Sequence, residues 1–431
     1  MNKLNKIEST SSGLPVPAIR LKIPALPTVT TDLGDGYFRM RPWQQRCFNE
    51  LQDCHHWIVN APMAAGKSFQ ICGMSADRLR KNPALRLVIT IPQTIIASGF
   101  RKNKMVLPDG TRVDWSIREH HDLCRESGKS STNHLLAFLK DPASTILMER
   151  VVLCTHATLV RAFDREPEAF KNVLVVIDEA HHIKHGISEG VTVALENRMG
   201  AFVTHALANR KRIQLGLTTA TFFRGDKAPI VPNQTQFTRF TLPYEEFLAS
   251  CEHLRSFSYD FIIETPVTGP LTHLFRQRLG KTIVYIPPAM SAYSHGKHND
   301  TSAVLKAIAG SEKPLVEGQN EAIMRVRRGD EWIRIVNLVD ITNREEKKIA
   351  IENAHANGDA HGIDVVIALG MFKEGANWRY ADRQMILGPR NSLTEIIQTI
   401  GRLFRDVPGK GCVFTIELPR FIADIAKSVL F

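Results

Sequence analysis

The sequence predicts an α/β fold with two tandem domains, each a parallel sheet flanked by helices. Two observations support this prediction. Short apolar runs alternate with longer helical patterns, which is typical of parallel sheets covered by helices on both faces. The alternation also occurs in two separate series, and turn residues cluster between them at 228–247.

The first series contains apolar runs that we predict to be strands buried on both faces. Helical patterns separate these runs, as at 67–81 and 190–209. The predicted strands lie at 56–62, 85–92, 150–155, 172–180 and 212–220.

The second series repeats this order, with helical patterns at 342–356 and 392–404. Its predicted strands lie at 281–288, 332–340, 363–370, 382–389 and 411–418. The sequence therefore predicts a first domain over residues 37–235 and a second domain over residues 240–431.

Residues 1–36 differ from both series because they are rich in proline, serine and threonine. Proline fixes φ and removes a backbone donor, so the prolines in this segment oppose a regular helix. They are Pro15, Pro17, Pro24 and Pro27. We predict an extended N-terminal arm that lies on the body of the protein or stays mobile.

The charge balance favours a polyanionic partner. The chain has 55 lysines and arginines against 44 aspartates and glutamates, a formal net charge of +11. A basic excess of this kind is typical of nucleic-acid-binding proteins. The alternative at this point is a basic soluble protein with no such partner.

The spacing of the cysteines and the length of the apolar runs indicate the cellular compartment. The seven cysteines are scattered and contain no C-x-x-C pair, which favours reduced thiols over a disulfide framework. No apolar run approaches membrane-spanning length, and the N-terminus has no apolar core of a signal peptide. We expect a cytoplasmic, nucleic-acid-associated protein with no membrane partner.

Residues 61–68, APMAAGKS, end in Gly66, Lys67 and Ser68, between a predicted strand and a predicted helix. Backbone N–H groups at a helix start bind phosphate, and the helix dipole favours its negative charge. The Lys67 ammonium would reach the terminal phosphates and the Ser68 hydroxyl would ligate Mg²⁺. These three residues alone are a weak signal, because they also occur together by chance.

Residues 175–182, VVIDEAHH, provide the second half of such a site. An apolar strand that ends in Asp178 and Glu179 places two carboxylates at the edge of the sheet where these folds bind ligands. Asp178 would hold Mg²⁺ through water, and Glu179 would orient and deprotonate an attacking water. The alternative is a solvated acidic turn. The combination with a strand–GKS–helix segment favours a nucleotide site.

The two motifs together resemble those of the superfamily-2 helicases and translocases, most closely the type III restriction helicase-like branch. RPWQQ, at 41–45, is similar to an R-P-x-Q element that contacts adenine, which implies that Arg41 and Gln44 bind the nucleotide. APMAAGKS resembles the family form A-P-T-G-S-G-K-T. Ala61 matches that form, whereas Ala64 stands where the family usually has glycine.

The resemblance also implies that the loop residues Ala64, Ala65 and Gly66 contact the nucleotide. ITIPQTIIASGF resembles motif Ia and VVLCTHATL a later T-x-x-x-L element, and both contact nucleic acid in the family. Residues 178–181 form the D-E-A-H box of the family, and GLTTATFFRGD resembles motif III. In the family, motif III and the histidine of this box couple ATP hydrolysis to nucleic-acid binding. The residues implied are Pro92, Gln93 and Thr155 for nucleic acid, and His181, Thr219 and Thr221 for coupling.

In the second domain, VIALGMFKEGANW resembles motif V and QTIGRLFRD resembles motif VI. The first implies that Gly375 and Asn377 bind nucleotide. The second implies catalytic roles for Gln398, Arg402 and Arg405. The two arginines are spaced i, i+3, so they share one helix face and would act as arginine fingers. The resemblance therefore implies two RecA-like domains with the ATP site in the cleft between them.

The function that the resemblance implies is an ATP-dependent nucleic-acid helicase or translocase, with DNA favoured over RNA and with ATP and Mg²⁺ as cofactors. One alternative is an ATP-gated clamp that binds nucleic acid without unwinding it. Another is the motor subunit of a restriction or defence complex, in which a partner protein supplies a nuclease or loading function. The two-domain length leaves little room for a strand-separating domain, which favours a translocase or clamp over a processive unwinder.

Overall fold

The computed structural model describes most of the 431-residue chain. The residues described are 18–22, 33–92, 94–125, 129–183, 191–220, 223–224, 228–229, 234–261, 275, 280–287, 294, 296–340, 342–356, 362–369, 378–388 and 399–418. None of the helices within these ranges is long and apolar enough to cross a membrane.

The described strands, in chain order, are β1 Ala18–Lys22, β2 Phe38–Arg39, β3 His56–Asn60, β4 Arg86–Ile91, β5 Lys102–Val106, β6 Arg112–Ser116, β7 Val151–Thr155, β8 Val173–Ile177, β9 Ile213–Thr219, β10 Phe223–Arg224, β11 Ala228–Pro229, β12 Thr238–Thr241, β13 Ser256–Phe261, β14 Thr282–Tyr285, β15 Val316–Glu317, β16 Met324–Arg328, β17 Glu331–Asn337, β18 Val365–Ala368, β19 Arg383–Leu387 and β20 Cys412–Leu418. The described α-helices are α1 Pro42–Leu51, α2 Lys67–Lys81, α3 Ser98–Arg101, α4 Lys129–Lys140, α5 His156–Arg165, α6 Val191–Ala208, α7 Tyr244–Ala249, α8 Lys297–Ala309 and α9 Arg344–Ala356.

The first sheet has six strands in the order β12-β3-β9-β8-β4-β7, all parallel. Its central strands are buried along most of their length, as their continuous apolar sequences predict. The register aligns Ile177 of β8 with Leu217 of β9, and Thr90 of β4 with Ile177. The carboxyl ends of β3, β8 and β9 therefore meet at one edge, where the predicted nucleotide motifs follow.

The second sheet has nine strands in the order β1-β13-β20-β19-β14-β18-β17-β16-β15. Its centre, from β13 to β17, is parallel, which agrees with the prediction. Both edges are antiparallel: β1 pairs with β13, and β15, β16 and β17 form a meander. The predicted α/β class with two sheets is thus confirmed, with antiparallel strands added at both edges of the second sheet.

Two segments that the alternating patterns do not predict as strands each add a strand to one of the sheets. Strand β1 lies within the predicted N-terminal arm, and it pairs with β13 at the edge of the second sheet. Strand β12 lies within the predicted join between the domains, and it adds to the first sheet beside β3. The chain then enters α7, which lies at the junction between the two sheets.

A small sheet of β2, β5 and β6 packs against α2, and the sequence patterns do not predict it. Its hairpin, β5–β6, follows directly after α3. Trp115 of β6 is fully buried, and its indole N–H donates to the Phe100 carbonyl over 2.7 Å. This buried ring fixes the hairpin on the first domain.

Aromatic side chains join the two sheets at α7. Phe247 of α7 lies 6.4 Å from the ring of Phe404, and Phe404 lies 5.3 Å from Phe257 of β13. One apolar core cluster contains residues of both sheets, such as Trp57 of β3 and Ile283 of β14, together with Phe247 and Phe404. The predicted motif VI, which contains Phe404, is therefore packed against α7, and α7 contacts the first domain through the Glu246–Arg46 pair.

The predicted strands of both series are present within the residues the structure describes. The helices predicted at 67–81, 190–209 and 342–356 correspond to α2, α6 and α9. For the helix predicted at 392–404, residues 391–398 lie outside the described ranges, and residues 399–401 are helical.

Candidate active site

The loop between β3 and α2 has the backbone shape of a phosphate-binding loop. Gly66, which precedes α2, has φ 97°, and Ala64 has φ 66°. Both values lie in the left-handed region, which glycine adopts without a steric penalty and alanine does not. This explains why glycine would be the usual residue at position 64. In this chain, Ala64 adopts the conformation that suits glycine, so the backbone is strained at that position.

Lys67 is the first residue of α2, and its side chain is buried. Its ammonium donates to the carbonyl oxygens of Ala61 and Pro62 over 3.0 and 3.3 Å. The side chain therefore folds back over the loop, with its charge held at the loop's centre. That is the position from which an ammonium can neutralise phosphate charge.

Gln44 holds the same loop from the side. Its amide nitrogen donates to the Gly66 carbonyl over 3.1 Å, and its amide oxygen accepts from the backbone N–H of Arg41 over 2.8 Å. The side chain is buried. Gln44 thus links the start of α1 to the loop, which brings the predicted adenine-contacting element next to the predicted phosphate-binding element.

Asp178 follows β8 and is buried. Its Oδ1 accepts a hydrogen bond from Thr218 Oγ1 over 2.5 Å, and its backbone N–H donates to the Thr90 carbonyl over 2.9 Å. Burial and the neighbouring Glu179 carboxylate raise the pKa of Asp178 to about 6, against the lowering influence of Lys67 and Thr218. Lys67 is therefore close enough to Asp178 for its ammonium to lower this pKa.

Glu179 has φ 52°, which is uncommon for a residue with a side chain. Such a conformation costs about 1–3 kcal/mol and is often found at functional sites. It turns the chain sharply after Asp178, so that the 3₁₀ turn Ala180–His182 follows immediately. Glu179 Oε2 lies 3.3 Å from His181 Nδ1, which lies 3.5 Å from Thr219 Oγ1. The predicted coupling residues His181 and Thr219 are therefore in contact with each other.

His156, the first residue of α5, also contacts the acidic segment. Its Nε2 lies 3.0 Å from the Asp178 carbonyl, and its ring is buried. The preceding residue, Thr155, caps α5, because its Oγ1 accepts from the Thr158 N–H over 3.2 Å. Thr155 was predicted to contact nucleic-acid phosphate, and that role stays a prediction. The structure shows that its hydroxyl is already engaged at a helix N-terminus close to the site.

The predicted motif Ia starts at the end of β4, where Pro92 lies half-buried. Helix α3 of this motif approaches the phosphate-binding loop closely. A methyl group placed on Gly99 would come within 3.2 Å of Ser68 Oγ. The backbone of α3 therefore lies close to the hydroxyl that we predict to ligate Mg²⁺.

The predicted motif VI contacts the loop from the second domain. A methyl group on Gly401 would come within 2.9 Å of Met63 Cβ, so the two segments touch. Arg402 is buried and Arg405 is half-buried beside it. Burial, together with the neighbouring charges of Arg402 and Arg379, lowers the pKa of Arg405 to about 10, so it remains a cation at neutral pH. Such crowding of cations favours an anion at this position.

Several predicted site residues cannot be placed in this way. Gln93, Thr221, Gly375, Asn377 and Gln398 lie outside the residues that the structure describes.

The oxygen donors that the site offers fit Mg²⁺. This ion prefers carboxylate, hydroxyl and water oxygens in octahedral geometry. Asp178 supplies a buried carboxylate whose negative charge is destabilised by its surroundings, and a cation would relieve that cost. Ser68 supplies a hydroxyl at the start of α2. The roles of both residues as ligands stay predictions.

Sequence reasoning missed three residues at this site. Thr218 donates a hydrogen bond to the Asp178 carboxylate, and His156 contacts the Asp178 backbone carbonyl. Tyr244 of α7 lies near enough to Glu179 for that carboxylate to raise the pKa of the tyrosine. Burial first and Glu179 second raise the pKa of Tyr244 to about 12. The register that pairs Ile177 with Leu217 places residue 218 beside residue 178, and no sequence pattern predicts that register.

Comparison with known proteins agrees with these features. Residues 41–227 match the family described as DEAD/DEAH box helicase. The chain is 29% identical over 379 residues to YeeB of Bacillus subtilis (strain 168), which is named as a candidate ATP-dependent helicase. The match covers 86% of this chain and 59% of YeeB, so the chain spans about three fifths of that relative's length.

The fold is similar to two solved structures. One is the DUF1998 helicase MrfA bound to DNA, with a TM-score of 0.58 and 13% identity over 96% of this chain and 56% of that one. The other is the ATP-dependent type ISP restriction-modification enzyme LlaBIII bound to DNA, with a TM-score of 0.58 and 12% identity over 88% of this chain and 27% of that one. At these identities the likeness concerns the fold alone. The family match over residues 41–227 and this likeness of fold are independent of each other and agree.

Proposed function

We propose that this chain hydrolyses ATP to move along or remodel nucleic acid, as a helicase or translocase with DNA favoured over RNA. The single observation that carries the proposal is the contact between Gly401 and Met63. The residue that precedes Arg402 thus lies beside the phosphate-binding loop of the other domain, which supports a role for Arg402 and Arg405 at that loop. A split site of this kind is what nucleotide-driven domain motion requires.

The residues divide the chemistry of phosphoryl transfer among them. Lys67 neutralises phosphate charge, and Gly66 with the first N–H groups of α2 binds the phosphate oxygens. Glu179, oriented by His181, accepts a proton from the attacking water. Asp178 and Ser68 would hold Mg²⁺, which would supply positive charge to the phosphate oxygens. Arg402 and Arg405 stabilise the charge that develops in the transition state.

The same contacts connect hydrolysis to movement. Helix α7 lies between the domains, with Glu246 paired to Arg46 of α1 at 2.8 Å and Phe247 packed against Phe404. After the arginines, the carboxylate of Asp406 accepts N–H groups of His253 and Leu254, at the end of the segment that follows α7. A change in the contact between Arg405 and the nucleotide would therefore shift α7 relative to the first domain.

We favour DNA because the similar structures of MrfA and LlaBIII are bound to DNA, and because this chain has a formal net charge of +11. Contacts with phosphates dominate such binding, so we expect little sequence preference.

A clamp or motor subunit is the second candidate. The chain spans 59% of YeeB, and the shared fold covers 27% of LlaBIII. A protein partner that supplies a nuclease or a loading function would complete such an assembly. This hypothesis predicts stimulated ATPase activity without strand displacement by the chain alone.

The test is the ATPase rate with a panel of single- and double-stranded DNA and RNA, with strand displacement measured alongside. Stimulation by nucleic acid together with displacement supports a helicase, and stimulation alone supports a translocase or clamp. An ATPase rate that no nucleic acid changes, or no ATPase at all, would contradict the proposal. Asp178→Asn serves as the inactive control, and any hydrolysis that it retains measures contamination.

A further inference from the structure

The hairpin β5–β6 presents a basic outer face. Side chains alternate between the two faces of a strand, and here Met105 and Trp115 are buried toward α2. Lys102 and Lys104 of β5 are exposed on the opposite side, where the antiparallel register pairs them with Ser116 and Asp114. The hairpin is thus fixed by its inner face, while its outer face carries charge.

This face is concave. A cavity of about 590 Å³ is lined by Lys102, Lys104 and Arg118 together with Asn103, Asp114 and Ser116. Its lining contains three cations and one carboxylate, so the cavity carries net positive charge. Sites of this volume accommodate small ligands or a segment of a larger one.

The two lysines are the cations available to a ligand. Arg118 is paired with Glu149 at 3.0 Å. Among the residues that the structure describes, no carboxylate lies within ion-pairing distance of Lys102 or Lys104. Lys104 lies 5.5 Å from the centre of the Tyr37 ring. Paired lysines beside an aromatic ring and hydrogen-bonding side chains suit the phosphodiester backbone of a nucleic acid.

A short path joins this face to the candidate active site. Asn103 lies between the two lysines in the sequence, and its amide donates to the Gly99 carbonyl over 3.1 Å. Gly99 belongs to α3, and it lies so close to Ser68 that a methyl group at this position would come within 3.2 Å of the Ser68 hydroxyl oxygen. The backbone that carries the lysines is therefore continuous with the backbone that touches the phosphate-binding loop.

We infer that the outer face of the β5–β6 hairpin binds the phosphate backbone of nucleic acid and transmits that binding to the ATP site through Asn103, Gly99 and Ser68. This inference rests on the proposed function and adds a surface and a route to it. The face lies outside the motifs that resemble those of the helicase families.

The test compares two double variants of equal charge change. In the first, Lys102→Ala is combined with Lys104→Ala. In the matched control, Lys171→Ala is combined with Lys211→Ala, because these exposed lysines precede β8 and β9 at the opposite edge of the first sheet. Binding of a fluorescent oligonucleotide is measured by anisotropy from low to moderate salt. Thermal unfolding shows whether each variant is folded.

The Lys102/Lys104 variant should bind on the order of 30-fold more weakly at 0.1 M salt, and the slope of log K against log salt should fall by about 1.4–1.8. Both figures follow from a slope of about 0.7–0.9 for each phosphate that a lysine neutralises. The ratio of nucleic-acid-stimulated to basal ATPase rate should fall as well. The control variant should match the wild type in binding, slope and ATPase ratio.

The outcomes separate this inference from the proposed function. If the wild type binds no oligonucleotide, the proposed function fails. If the wild type binds and the Lys102/Lys104 variant matches the control, the inference fails and the function stands. Inorganic phosphate is the remaining probe. If phosphate displaces the oligonucleotide more than chloride does at equal ionic strength, and this excess disappears in the Lys102/Lys104 variant, the face is a small-anion site and the inference is overturned.

Discussion

Thr218 Oγ1 donates a hydrogen bond of 2.5 Å to Asp178 Oδ1, from β9 to the residue that follows β8. The two strands are neighbours, and their register pairs Ile177 with Leu217. The residues that follow this pair, Asp178 and Thr218, therefore lie side by side, which brings the hydroxyl and the carboxylate together. The bond helps a buried carboxylate to stay ionised, because hydrogen bonds to the charged form favour that form. Thr218 is therefore a positioning residue for the predicted metal-binding carboxylate.

Removing this hydroxyl should move the acidic limb of the ATPase pH profile. In Thr218→Val the carboxylate no longer accepts a charge-assisted bond, so the pKa of Asp178 should rise above its value of about 6. We expect the limb to shift upward by about one pH unit, which corresponds to about 1.4 kcal/mol. Thr218→Ser keeps the hydroxyl and should leave the limb in place. Identical pH profiles for the valine and serine variants would show that the bond has no role in activity.

The raised pKa of Asp178 also makes a prediction about stability. Between the unfolded pKa of 3.8 and the folded value of about 6, the folded protein holds a proton that the unfolded chain has released. The free energy of unfolding should therefore fall as the pH rises through this window and remain lower above it. Asp178→Asn mimics the protonated form. We expect it to stabilise the nucleotide-free protein by up to about 3 kcal/mol at pH 8, with little effect near pH 4.

Chemical denaturation of the wild type and Asp178→Asn at several pH values measures this difference. A variant that is less stable than the wild type at pH 8 would contradict the pKa shift. Because the asparagine cannot replace the carboxylate's charge, the same variant should lose ATPase activity, so stability and activity should change in opposite directions.

The strained alanine of the phosphate-binding loop gives a third prediction. Ala64 has φ 66°, a conformation that costs a residue with a side chain about 1–2 kcal/mol. Ala64→Gly removes this strain but makes the unfolded chain more flexible, which costs about 0.4–1 kcal/mol. We expect a net change in unfolding free energy between zero and about +1.6 kcal/mol, with ATP binding retained. Ala65→Gly is the control, because position 65 has no positive φ, and it should be destabilising.

Glu179 should separate binding from turnover. Glu179→Gln keeps the size of the side chain and a hydrogen-bonding oxygen, but it cannot accept a proton from water. We expect ATP to bind within about threefold of wild-type affinity, while steady-state hydrolysis falls by at least about 10². Fluorescent-nucleotide titration beside a phosphate-release assay measures both. Wild-type turnover in this variant would show that another group activates the water.

The buried strands and the motifs at their ends could be predicted from the sequence, because a strand buried on both faces has a continuous apolar sequence. The contact of Thr218 with Asp178 could not, since it depends on the register between strands that lie far apart in the chain. The resemblance directed attention to Thr219 and Thr221 instead. His156 and Tyr244 reach the acidic turn through tertiary packing, of which a single sequence gives no sign.

The β5–β6 hairpin shows a different kind of failure. Its turn, Pro108-Asp109-Gly110, is a recognisable turn sequence between two strands. Gly110 has φ 84°, as such a turn requires. The signal was present, but the flanking strands carry lysines and arginines rather than a continuous apolar run. Strand β16 at one antiparallel edge of the second sheet is not predicted for the same reason, since it alternates buried and exposed residues.

The central claim is that Arg402 and Arg405 of the second domain complete the active site of the first. The most direct test is single-turnover ATP hydrolysis by Arg405→Ala, measured beside nucleotide-binding titration with and without single-stranded nucleic acid. Arginine fingers contribute about 10³–10⁵ in rate. We predict that Arg405→Ala loses most of its single-turnover rate and its stimulation by nucleic acid, yet binds ATP within about tenfold of wild type, or about 1.4 kcal/mol. Arg405→Lys should not fully restore the rate, because an ammonium lacks the planar fork of a guanidinium. Normal, stimulated hydrolysis by both Arg405→Ala and Arg402→Ala would contradict the claim that the two domains share one active site.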